Sequence, residues 1–127
     1  MTKGRPWPPN SGSQPNAAQP HLARALDLRQ RLWGHADART WASMHALGRA
    51  RAGQGQYAAA ERLLRRALEL RTRGLGASQR DTLDTLSALA DLLRVDRQFE
   101  EAQALVRRGY DLRRAALGER HLDTLEA

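Results

Sequence analysis

From Leu22 onward, apolar residues return at intervals of three and four, the spacing that gathers them on one side of an α-helix. Five stretches carry such a stripe. Leu22, Ala25, Leu26 and Leu32, with Arg29 among them, predict a helix over Ala17–Trp33. Trp41, Met44, Leu47, Gly48 and Arg51 share a face of a second helix, opened by Asp37 as a potential N-cap and ending near Gln54. After Gly53 and Gly55, Tyr57, Ala60, Leu63, Leu64, Ala67 and Leu70 mark a third helix over Gln56–Arg73, closed by Gly74 and Gly76. Ser78-Gln-Arg-Asp81 resembles a capping box ahead of Leu83, Leu86, Leu89, Ala90 and Leu93. Asp96 is the expected cap of a fifth helix over Arg97–Leu117, with Phe99, Ala102, Leu105, Val106 and Leu112 inward.

These stripes are one pattern written twice. Leu47–Gly76 aligns without a gap on Leu89–Gly118, so that Tyr57 falls on Phe99, Ala60 on Ala102, Leu63 on Leu105 and Leu70 on Leu112. A fixed period in the 20–50 range marks stacked units, none of which buries its apolar face alone. The first helix fits one period upstream, with Ala25-Leu26 over Ala67-Leu68 and Gly34 over Gly76, as the second half of a unit. At the other end Asp123-Thr124-Leu125 repeats Asp81-Thr82-Leu83. The divisions are therefore 1–16, 17–34 as a half repeat, 35–76 and 77–118 as full repeats, and 119–127 as a truncated one.

Composition changes this picture at the N-terminus. Residues 1–16 hold Pro6, Pro8, Pro9 and Pro15 among Gly, Ser, Asn and Gln, too little apolar surface to offset the entropy of ordering, and a disordered arm is expected. Trp7 is its one aromatic. Elsewhere Ala, Leu and Arg, all good helix formers, dominate. The absence of Cys removes disulfide and thiolate chemistry. No charge-free apolar run reaches the ~20 residues of a membrane span and no signal peptide is visible, so a cytoplasmic location is expected. Net charge is +7, but residues 56–76 carry five Arg against two Glu while residues 80–96 carry four Asp against two Arg. Alternation of sign between helices describes a mixed surface rather than one basic stripe.

The small and aromatic residues of the two copies, Gly48, Gly55, Tyr57, Ala60 and Ala67 in one and Ala90, Phe99, Ala102 and Gly109 in the other, resemble the tetratricopeptide repeat in its 42-residue, kinesin-light-chain-like variety. Leu117-Gly-Glu-Arg-His-Leu-Asp-Thr-Leu125 resembles its linker, with Leu122 where Pro is usual. The resemblance implies an all-α, right-handed solenoid of antiparallel helix pairs, about five helices plus a C-terminal stub. It implies a non-enzymatic protein-interaction module, an adaptor or signalling scaffold, with a protein or peptide partner. The first helices would line the groove and place His45, Arg49, Ser87, Asp91 and Arg94 in it. Two readings stand: a polar groove for an acidic peptide segment, or Arg49 and Asp91 pairing with each other across neighbouring helices. The related peptide binders present Asn pairs from the first helix, whereas this chain has His45-Ala46 and Ser87-Ala88 there and no Asn after Asn16. Arg51 stands in an apolar slot that Leu93 fills one period on.

No catalytic constellation emerges, and neither a cofactor nor a metal is expected. His35-Ala-Asp37 and His121-Leu-Asp123 are His-x-Asp pairs at opposite ends of the array, where the linker pattern accounts for them. Cys/His clusters with zinc spacing are absent. Ser43 and His45, two apart on a helix, point in different directions. Nucleic acid is the alternative partner class, through the convex arginines Arg65, Arg66, Arg107 and Arg108, but helical RNA readers use repeats of about 35 residues, whereas this period is 42. The incomplete ends of the array predict self-association.

Overall fold

The structure is a computed structural model that describes the backbone of residues 15–126 and the side chains of residues 20–118. Its elements are α1 (Pro15–Trp33), α2 (Ala38–Gly53), α3 (Tyr57–Leu75), α4 (Arg80–Val95) and α5 (Phe99–Glu126), with no strand among the described residues. Each helix packs on its neighbours in the chain and α2 also touches α4, so α2 and α4 form one layer and α1, α3 and α5 the other. This is an all-α solenoid.

The core follows the stripes. Trp41, Met44 and Leu47 of α2, Ala60, Leu64 and Ala67 of α3, and Leu83, Leu86, Leu89, Ala90 and Leu93 of α4 are buried. Small residues set the helix separation: a Cβ on Gly48 would sit 2.9 Å from Leu64 Cγ, and one on Gly74 would run into the Trp41 ring. Gly74 therefore lies inside α3 and serves close approach, while Gly76 ends the helix.

The caps differ in part from expectation. Asp37 accepts a hydrogen bond from the Arg39 backbone N–H at 2.8 Å, as an N-cap should. At α4 the cap is Gln79, not Ser78, its side chain accepting from the Asp81 N–H. Asp96 ends α4 instead of opening α5, and its carboxylate accepts from the Gln98 amide at 2.9 Å.

Three further expectations are corrected. The break at Leu117-Gly118 does not occur, because α5 runs on to Glu126. Gly34 and Gly76 turn with positive φ and are each followed by a helix that docks on the core, whereas Gly118 has neither a positive φ nor a crowded Cβ. Without a positive-φ turn at Gly118, the helix propagates through good formers such as Leu, Ala and Arg. Phe99 and Val106, expected inward, are exposed. Pro15 and Asn16, assigned to the arm, belong to α1. The rest of the arm with Trp7, and the side chains of His121, Leu122, Asp123 and Leu125, lie outside the described residues.

Candidate functional site

What joins one repeat to the next is a polar clasp rather than apolar contact alone. Arg29 of α1 donates to Ser43 Oγ of α2 at 2.6 Å, and the Thr40 hydroxyl donates to the Gly34 carbonyl at 2.8 Å with the Arg29 carbonyl farther off at 3.4 Å. One period later Arg71 of α3 donates to Thr85 Oγ1 of α4 at 2.8 Å, and Thr82 donates to the Arg71 carbonyl at 3.2 Å. Arg71 is buried and also donates to the Asp81 carbonyl at 3.1 Å. A buried guanidinium is tolerated because its donors find acceptors. In the third copy Arg113 donates instead to Ser87 Oγ at 3.3 Å.

The clasp draws in the first of the anticipated groove residues. His45 Nδ1 lies 3.1 Å from Thr85 Oγ1, bridging α2 to α4. Burial, with Arg71 and Arg49 nearby, pushes its imidazole down to about 4 despite the opposing fields of Asp84 and Asp81. The ring is thus neutral at physiological pH, and its tautomer sets which of Nδ1 and Thr85 Oγ1 donates; that oxygen also accepts from Arg71 and lies 3.3 Å from the Asp81 carbonyl, the other acceptor for its proton. His45 is a packing residue between repeats, not an open groove ligand.

The remaining four divide. Ser87 and Asp91 are half-buried beside Val106 and Arg113, where α4 meets the free side of α5, around a small cavity of about 90 Å³. Asp91 accepts from Arg94 Nη2 at 3.0 Å, an i,i+3 pair within α4. Arg49 is exposed and, among the described residues, has no ion-pair partner. The Arg49–Asp91 pairing is therefore not formed; the nearer i,i+3 partner holds the carboxylate.

The other chemistry is equally plain. The Asp37 carboxyl is bound by the Arg39 guanidinium at 2.9 and 3.0 Å, and those bonds hold it down to about 2. The His35 carbonyl accepts from the Trp41 indole, so His35 and Asp37 serve the turn into α2. Among the described residues no group of three or more His, Cys, Asp or Glu could hold a metal, and no helix is long and apolar enough to cross a membrane.

Two tetratricopeptide repeat family models match the chain, one over residues 13–73 and one over residues 82–123. No curated protein matches it.

Proposed function

The chain belongs to the tetratricopeptide repeat family, and on that premise we propose that it is a non-enzymatic protein-interaction module that takes an acidic segment across the face of α2 and α4. Repeats of this family mediate protein–protein interactions. The observation that carries the acidic preference is the asymmetry of that face: Arg49 is exposed without an ion-pair partner among the described residues, while the Asp91 carboxylate is engaged by Arg94. An exposed cation of this kind contributes specificity and association rate more than affinity. Nucleic acid is the weaker reading, because Arg65 is shared between Glu61 and Glu101 at 2.9 and 2.7 Å and Arg66 lies 3.5 Å from Glu69. The free side of α5 supports association of copies through that end, which light scattering across a concentration range would reveal as a rising mass.

The test is a fluorescence titration of three proteins, wild type, Arg49→Ala and Asp91→Ala, against a Glu-rich peptide and its Gln-substituted control at low salt. Arg49→Ala should weaken Glu-peptide binding, and Asp91→Ala, which releases Arg94, should strengthen it. An exposed pair is worth only ~0–1 kcal/mol, so both variants should melt with wild type. Equal binding of both peptides by all three proteins would remove this face as the site.

A further inference from the structure

On the opposite layer the two junctions between second helices differ. Between α3 and α5, Arg65 reaches Glu101 at 2.7 Å, and the first-helix residue beneath, Leu93, is fully buried. Between α1 and α3 the same register positions read Ala23, Ala59 and Arg51. Neither alanine can bridge, and Arg51 cannot fill an apolar slot, so its guanidinium turns aside and donates to Gln56 Oε1 at 2.9 Å. A cleft of about 470 Å³ remains open there.

Its lining is one-sided in charge. Leu26 of α1 and Leu63 and Ala59 of α3 form the walls, and Met44 and Leu47 of α2 the floor. Gln30, His35, Arg51, Arg62 and Arg66 complete the lining, with no carboxylate among the lining residues. Arg62 is exposed and has no ion-pair partner among the described residues. The volume lies within the ~300–1,000 Å³ usual for ligand sites, and a few polar groups around an apolar base is their usual composition.

We infer that the α1–α3 cleft is a second binding site, for a peptide segment with one or two bulky aliphatic side chains flanked by carboxylates. The aliphatic base takes the side chains, and Arg62, which has no ion-pair partner among the described residues, takes a carboxylate. Nucleic acid fits less well, since the lining offers no Phe, Tyr or Trp ring for base stacking. Residues 1–14 do not suit it either, because they carry Lys3 and Arg5 and no acidic residue. This site stands apart from the Arg49 face, and the loss of either leaves the other intact.

The experiment uses the full chain and a fluorescein-labelled peptide with a Leu-Leu pair between Glu residues. Its controls are the Glu→Gln peptide, the Leu→Ala peptide and a single-stranded RNA of equal length. Ala59→Trp fills the cleft without altering charge, and Arg62→Ala removes an exposed cation at its rim. Both controls should bind the wild type weakly. Ala59→Trp should weaken the Glu-Leu peptide about tenfold or more, Arg62→Ala about threefold at low salt with less effect at high salt, and Arg49→Ala not at all. Unchanged affinity in Arg62→Ala and in a folded Ala59→Trp would overturn the inference. So would equal binding of the Leu→Ala peptide, or tighter binding of the RNA that is lost in Arg62→Ala. If Ala59→Trp does not fold, Arg62→Glu takes its place, with loss of binding expected and retained binding contradicting the site.

Discussion

Helices α3 and α5 share a sequence register but not an environment. Leu64 of α3 is 0% exposed, while Val106, its counterpart in α5, is 57% exposed. Tyr57 and Leu68 pack against the core, and their counterparts Phe99 and Tyr110 are 57% and 60% exposed. The faces toward their own first helix behave alike, with Ala60 and Ala102 both buried. What separates the two is α4, which packs on α3 and has no equivalent beyond α5. In a stacked array an apolar stripe is core only when the following unit covers it, so burial is a property of the junction and not of the repeat.

The sharpest way to break this comparison is to truncate the paired side chains. Leu64→Ala should destabilise by about 2–5 kcal/mol through lost burial and a residual cavity. Val106→Ala, with a smaller and exposed side chain, should cost under ~1 kcal/mol. Urea unfolding measures both, and equal costs would mean that α5 is covered after all.

The clasp beneath α3 sharpens the contrast through pH. The His45 imidazole titrates at about 4 when folded against its ordinary 6.5, so on acidification the unfolded chain takes up the proton first. Stability is therefore unaffected above the unfolded value and falls as pH drops from 6.5 toward 4. Between about pH 7 and about pH 5 the loss attributable to His45 should be roughly 2 kcal/mol. His45→Gln should flatten that part of the profile. An identical profile in the variant would place the titration elsewhere.

Smaller effects are expected where the turns into α3 and α5 are compared. Gly55 has φ 81° and Arg97, one period on, φ 68°. Both turns make the same backbone bond, from Gly55 to Ala52 and from Arg97 to Arg94, each at 3.0 Å. A side chain in this left-handed region costs about 1 kcal/mol. Gly55→Ala should therefore destabilise, and Arg97→Gly should be neutral or stabilising by up to about that amount, as read from melting temperatures.

The fold was largely legible because the period and the stripes reinforce each other at every helix. Tetratricopeptide architecture followed from Gly48, Tyr57, Ala60 and their counterparts. Three features escaped because they are not local. The exposure of Phe99 and Val106 depends on a neighbour that their own sequence does not encode. The extension of α5 past Gly118 escaped because Gly118 aligns with the turn residue Gly76 yet lies within helical backbone. Arg71 reads as a solvated cation, yet it is buried in the clasp; its recurrence with Arg29 and Arg113, opposite Ser43 and Thr85, was the signal available. The placing of the groove residues rested on family register alone, which does not encode contacts between first helices. Family register placed His45 toward a ligand, but the contact between α2 and α4 turns it toward Thr85.

Amide hydrogen exchange followed residue by residue tests most directly whether the junction sets burial. Under native conditions the amides of α3 around Leu64 and Ala67 should open only with global unfolding. Those of α5 around Val106 and Tyr110 should exchange through a smaller opening, despite an equally regular helix. Protection in α5 equal to that in α3 would contradict the account, since two helices of one register would then be equally stable with and without a following helix.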